Sequence, residues 1–242
     1  MSDKCLVSFA SNGREDYRKS QLALIKSASG YEESECNWTG DYWNYHYLIR
    51  CLDGYCDRYE DVDIKLGSYP VTKKYGVSWQ HADMPYQFKP FAIYEAFEMG
   101  YTKILWCDST IRIMKDPEPL WELAAEHGIL AWDNEGHPLS NWITDYAKEK
   151  TGLTDPNAKQ IMACCIMFDF SHLKTLKVVE DWIEGSLNNS FHKSTENGQP
   201  SRHDQSYLSA LMSVNNIEVQ PYGVLAYPHY QPIQPTFINF GV

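Results

Sequence analysis

The stretch Lys103-Ile104-Leu105-Trp106-Cys107-Asp108-Ser109-Thr110-Ile111-Arg112-Ile113 reads as an apolar strand that stops on a carboxylate, passes two hydroxyl residues and turns apolar again. A short unbroken apolar run of this kind marks a strand covered on both faces. Just upstream, Lys89-Pro90 opens a helix, with proline suited to a first turn. Phe91, Tyr94, Glu95, Phe97 and Glu98 carry that helix to a stop at Gly100. Helix followed at once by buried strand implies a parallel sheet, whose ligands gather at the carboxyl ends of its strands. Asp108 therefore stands where a ligand would be met.

The same alternation extends in both directions. Cys5 to Ala10 is a first apolar strand, followed by the turn Ser11-Asn12-Gly13-Arg14 and a helical pattern through Tyr17, Leu22, Leu24 and Ile25. Tyr45 to Arg50 is a second strand, and the acidic, turn-rich stretch from Asp53 to Gly76 is assigned no element. Downstream, helices are expected over Leu120 to Glu126, Asn141 to Lys150, His172 to Ile183 and Asp204 to Met212. Gly128 to Trp132 is a further buried strand, and Ile161 to Asp169 is one continuous apolar run that again ends in Asp. Ser186 to Ser201 is the most polar stretch and is expected to be a mobile loop that orders over a bound ligand. The spaced prolines of the last residues argue against regular helix or central strand there. The expected fold is α/β: a single domain over residues 1–242, with a mostly parallel sheet flanked by helices.

The chain has 242 residues, with 32 acidic and 21 basic side chains, for a formal charge of -11. Such a balance repels polynucleotides and anionic membranes, and the basic doublet Lys73-Lys74 reads as a solvated turn. No nucleic-acid partner is expected. An acidic protein that holds a diphosphate needs positive charge from elsewhere, and a divalent cation supplies it. The cysteines, Cys5, Cys36, Cys51, Cys56, Cys107, Cys164 and Cys165, form no CxxC pair and are expected to be free thiols. Met1-Ser2-Asp3-Lys4 does not resemble a signal peptide, and no apolar run approaches the ~20 residues of a membrane span, so a cytoplasmic protein is expected.

The run from Gly100 through Asp108-Ser109-Thr110 to Ile113 resembles the DxD segment of GT-A glycosyltransferases, where a strand ends in Asp-x-Asp and then re-enters the sheet. The resemblance implies a GT-A-like, Rossmann-like fold and transfer of a hexose from a nucleotide-diphosphate sugar, a UDP-sugar first among them, to a hydroxyl of a carbohydrate acceptor. In that family the carboxylates hold Mn²⁺ or Mg²⁺ across the donor phosphates. Here Thr110 replaces the second Asp. One carboxylate with phosphate oxygens and water still suits a hard cation.

Further segments follow in the order the resemblance requires. Phe88-Lys89-Pro90-Phe91-Ala92-Ile93-Tyr94-Glu95-Ala96 looks like the helix that precedes the DxD strand, with Lys89 near the donor phosphates. Arg202-His203-Asp204-Gln205-Ser206 resembles an Asp-Gln motif beneath the acceptor site, which makes Asp204 the candidate catalytic residue. Tyr227-Pro228-His229 resembles the late His that, with Asp108 and Thr110, completes the metal site in glycogenin-like members. Phe9, Ala10, Ser11, Asn12 and Arg14 would cradle base, ribose and phosphate, and Lys89, Asp108, Ser109 and Thr110 complete the expected donor site. The nucleotide half is then about 1–113 and the acceptor half about 114–242.

Each assignment has a plainer rival. Asp108 at a strand end also serves as a turn residue, Asp204 as a helix cap, and Lys89 as a surface lysine at a helix start. At the level of function, a nucleotidyltransferase of related fold is weakened by the single glycine of Ser11-Asn12-Gly13-Arg14. A carbohydrate-binding protein that kept the fold without the second DxD carboxylate is the rival outside enzymes. No Walker loop, GxGxxG or GxSxG is present.

Overall fold

In the structure, a computed structural model, residues 3–10, 15–28, 45–51, 85–191, 201–227 and 235–241 are described. The first apolar run forms β1 (Lys4–Ala10), with every residue after Lys4 buried. It is followed by α1 (Glu15–Ala28) and β2 (Tyr45–Cys51), which pairs with β1 in parallel. Helix α2 (Phe88–Glu98) leads into β3 (Lys103–Cys107), also parallel to β1. The chain then runs through β4 (Ile111–Ile113), α3 (Leu120–His127), β5 (Ile129–Leu130), β6 (Asp133–Pro138), α4 (Asp145–Thr151) and β7 (Lys159–Ile161). It closes with β8 (Cys165–Asp169), α5 (Leu173–Leu187), α6 (Asp204–Val214), β9 (Leu225–Ala226) and β10 (Phe237–Asn239).

The central sheet has the order β2-β1-β3-β8-β5. Strand β8 runs antiparallel to both β3 and β5, so the other four strands point one way and the mostly parallel sheet of the sequence reading is present. Alternation along the strands splits the core in two. Cys5, Val7, Phe9, Ile104, Trp106, Ile166 and Phe168 pack on one face with residues of α2, α5 and α6. Leu6, Leu105, Cys107, Cys165 and Met167 pack on the other with α1, α3 and the small sheet β4-β10-β9. Helices thus cover both faces.

Helix α2 is apolar on nearly every side, and Phe88, Lys89, Pro90, Phe91, Ala92, Ile93, Glu95 and Ala96 are all buried, as a helix sandwiched within a core must be. Helices α5 and α6 cross at Gly185, where an added Cβ would lie 2.2 Å from the Tyr207 ring, so the close approach that seats α6 requires glycine. The Trp182 indole N–H donates to the Asp204 carbonyl at 3.1 Å and ties the first turn of α6 to α5.

Four expectations need correction. The apolar run from Ile161 to Asp169 is not one strand, because a turn at Met162 to Cys164 separates β7 from β8. The segment after Asp108 leaves the central sheet, and β4 pairs instead with β10. That strand is central in its three-stranded sheet despite the nearby prolines, since Thr236 to Asn239 is proline-free and keeps its ladder donors. Finally, α5 continues to Leu187 with Ser186 fully buried, so the polar stretch begins later than expected. Residues 192–200 of the expected lid lie outside the described residues.

Candidate active site

The carboxyl end of β3, the turn between β7 and β8, the start of α2 and the start of α6 meet around one side chain. Lys89 is 3% exposed, which removes the surface-lysine reading. Its ammonium lies 3.3 Å from Asp108 Oδ1 and 3.0 Å from Asp204 Oδ2, and donates to the Ala163 carbonyl at 3.1 Å. The Tyr86 and Trp106 rings lie at 5.1 and 5.4 Å from the ammonium. Trp106 sits two residues before Asp108, hence on the same face of β3. Its indole N–H donates to Asp108 Oδ1 at 2.8 Å.

Electrostatics separates the two carboxylates. Asp204 is buried in the first turn of α6 and does not cap that helix: its N-cap His203 makes no side-chain capping bond, and the Asp204 carboxylate goes to Lys89. Burial pushes Asp204 up to about 6, the charge of Asp108 adds to this, and Lys89 opposes it. For Lys89, burial alone would lower the ammonium, but Asp108 and Asp204 outweigh it and hold it above its ordinary value. Tyr86 is pushed to about 12 by burial and then by Asp204, and Cys164 to about 12 by burial and then by Asp108. Asp108 is the open member of the set, with its side chain 31% exposed.

Two residues flanking the cluster carry left-handed backbone: Tyr86 at φ 56, three residues before Lys89, and His203 at φ 56, just before Asp204. Such conformations cost on the order of 1–3 kcal/mol for non-glycine residues and gather at functional sites. Their rings pack at 6.1 Å, and His203 Nδ1 lies 3.1 Å from the Phe191 carbonyl.

Of the expected donor residues, Lys89 meets Asp108, Ser109 and Thr110 follow Asp108 in the turn that leads to β4, and Ala10 ends the neighbouring strand β1. Phe9 is buried and stacks on Phe88 at 6.0 Å, so its side chain serves the core. Ser11, Asn12, Arg14 and His229 lie outside the described residues. The Thr110 hydroxyl donates to Asn239 Oδ1 at 2.7 Å, which joins the Asp108 turn to β10. Among the described residues no group of three His, Cys, Asp or Glu is placed to hold a metal ion. They offer one open carboxylate and a hydroxyl with free lone pairs. Both are hard oxygens that suit Mg²⁺ or Mn²⁺ if the donor's phosphates and water supply the remaining ligands.

Sequence reasoning missed Tyr86, Trp106, Cys164 and Asn239. Only Trp106 left a signal, the i, i+2 spacing to Asp108. The amide nitrogen of Gln205, beside Asp204, is buried with no hydrogen-bond acceptor among the described residues.

Comparison with solved structures finds similar folds. WbbM, a bifunctional glycosyltransferase solved in its apo form, superposes with a TM-score of 0.59 at 12% identity, covering 98% of this chain and 45% of that one. The fold is that of GT-A glycosyltransferases. LgtC, a galactosyltransferase solved with donor and acceptor sugar analogues, gives a TM-score of 0.54 at 13% identity over 98% of this chain and 87% of its own. Mouse xyloside xylosyltransferase 1 gives 0.57 at 7% identity over 98% and 97%. This chain thus spans less than half of WbbM and nearly all of the xylosyltransferase. No protein-family model and no curated protein sequence matches it. Among the described residues, no helix is long and apolar enough to cross a membrane.

Proposed function

We propose that this GT-A-like chain, acting as one catalytic domain, transfers a hexose from a nucleotide-diphosphate sugar, a UDP-sugar first among candidates, to a hydroxyl of a carbohydrate acceptor. The observation that carries the reading is the buried Lys89 ammonium held between Asp108 and Asp204 at the carboxyl ends of parallel strands. Solved GT-A glycosyltransferases of the same fold support it.

In this reading the strand end at Phe9 and Ala10, with Ser11, Asn12 and Arg14, receives the nucleoside, and Ser109 lines the donor phosphates. Asp108, with Thr110 and His229, would hold a divalent cation, which when bound neutralises charge on the departing diphosphate. Lys89 contributes a fixed positive charge without needing to dissociate, because two carboxylates hold it protonated. Asp204, poised near neutrality by burial, orients the acceptor hydroxyl or takes its proton, and the Gln205 amide holds that hydroxyl in place.

A panel of nucleotide sugars, assayed for hydrolysis and transfer with Mn²⁺ and with EDTA, tests the reading directly. Metal-dependent turnover of one donor is expected. Thr110 in place of a second carboxylate favours one rival, a carbohydrate-binding protein without catalysis. Calorimetry that detects sugar binding but no nucleotide sugar, with or without Mn²⁺, would establish that rival instead.

A further inference from the structure

Beside the Lys89 cluster lies a second cation with a different environment. Arg202 stands two residues before Asp204, in the turn that enters α6. Its backbone N–H donates to the Trp142 carbonyl at 3.2 Å and to Ser206 Oγ at 3.1 Å, and its carbonyl accepts from Gln205 N at 3.1 Å. The Ser206 hydroxyl in turn donates to the Trp142 carbonyl at 2.7 Å. The guanidinium lies over the Trp142 indole, 4.3 Å from the ring centroid, and His137 supports the same ring at 5.7 Å. Arg202 and Trp142 are both half-buried.

This guanidinium has no carboxylate partner among the described residues, although the chain carries 32 acidic side chains against 21 basic ones. Lys4, Lys89, Lys103, Lys148, Lys159 and Lys177 all pair with carboxylates. An arginine fixed by backbone bonds and seated over an indole at 4.3 Å has its side chain partly ordered in advance, so less side-chain entropy is lost when its forked donors are used. A planar fork of this kind matches a carboxylate or a phosphate. Arg202 stands two residues before Asp204, whose carboxylate meets the Lys89 ammonium, so the guanidinium enters on the same turn as the reaction centre.

We propose that Arg202, buttressed by Trp142, is an oxyanion subsite on the acceptor side, so that the sugar receiving the hexose carries a carboxylate or a phosphate. The inference rests on the glycosyl-transfer reading and adds to it the chemical class of acceptor. The donor diphosphate is left to Asp108, Lys89 and the cation, while Arg202 enters through the Asp204 turn.

Ligand-observed NMR on the full chain, with UDP present, can compare glucuronate, glucose 6-phosphate and glucose. At least one of the two anionic sugars should bind about tenfold or more tightly than glucose, the scale of one charge-assisted hydrogen-bonded pair. Arg202→Gln should remove that preference without changing UDP affinity, and Arg202→Lys, which keeps charge but loses the fork, should restore only part of it. Preference for glucuronate identifies a carboxylate acceptor, and preference for glucose 6-phosphate a phosphorylated one. Equal binding of all three sugars, or a preference that survives Arg202→Gln, overturns the proposal. A loss of UDP affinity in Arg202→Gln overturns it too, by moving the guanidinium to the donor. Affinity of the wild-type chain for UDP-hexose is read separately: its absence would sink glycosyl transfer while leaving the sugar comparison interpretable without UDP.

Discussion

Two apolar strands of this chain end in aspartate, and the two aspartates have opposite fates. Asp108 closes β3 and lies in the Lys89 cluster with a half-open side chain. Asp169 closes β8, is 1% exposed, and spends its carboxylate on the backbone N–H of Ser171 at 2.9 Å. The register explains the difference, because β8 runs antiparallel to β3 and Asp169 stands opposite Lys103, at the far end of the sheet from Asp108. An apolar run ending in Asp marks a strand terminus. Whether that terminus faces a ligand depends on strand direction, which residue order within one strand does not encode.

The largest expected effect tests what the Asp108 end of the sheet does. Asp204→Asn keeps size but cannot accept a proton, so transfer should fall by ~10²–10⁴-fold while donor affinity is retained. Steady-state kinetics together with donor titration would measure both. Loss of donor binding would place Asp204 with the phosphates, and undiminished transfer would make it a structural partner of Lys89.

The comparison itself is broken or upheld by a matched pair of alanine variants. Asp108→Ala should abolish metal-dependent nucleotide binding, and it also costs stability by freeing the Trp106 indole N–H and leaving the buried Lys89 ammonium to Asp204 alone, so nucleotide binding is the readout that separates the pair. Asp169→Ala should leave nucleotide binding intact and cost about 1–3 kcal/mol by orphaning the Ser171 N–H. At ~2–4 °C per kcal/mol for a chain of this size, that is a shift calorimetry resolves. The opposite pattern would show that the two strand ends had been misassigned. Gly185→Ala probes the support of the site: its methyl would collide with Tyr207 and destabilise by about 1–3 kcal/mol, with the melting temperature as readout.

These contrasts show what the sequence could carry. Strands β1 and β3 and helices α2 and α6 were legible because burial writes apolar runs and helix stops directly into residue order, whereas β8 was read only as the end of a longer run that the turn at Met162 to Cys164 divides. Asp108 and Asp204 were legible as candidates for the same reason, each at the end or start of a regular element. Their union through Lys89 was not, since it depends on three segments distant in sequence meeting in space. The nearly all-apolar surround of Lys89, from Phe88 to Ile93, was the one local sign that this lysine is buried. The small sheet was missed because β4, β9 and β10 have only two or three residues each, too few to show a period.

The most gradual effect concerns pH and separates the buried carboxylate from the open one. In the fold Asp204 holds its proton up to about 6, against roughly 3.9 in the unfolded chain. Between those values the folded protein binds more protons than the unfolded one, so stability falls as pH rises through the window, and the full cost is present above about 6. Two pKa units correspond to on the order of 2–3 kcal/mol. Lys89 stays charged throughout, because its two carboxylates hold it above its ordinary value. Asp204→Asn removes the titration, so its stability relative to the wild type should improve steadily from pH 4 to pH 6.5 and then level off. Denaturant unfolding of both proteins across that range measures the difference. Transfer by the wild type should rise through the same window as Asp204 ionises and becomes able to accept the acceptor's proton. A stability difference that stays flat from pH 4 to 7 would mean that burial does not raise Asp204, and the carboxylate would then be ionised at every pH where the enzyme works.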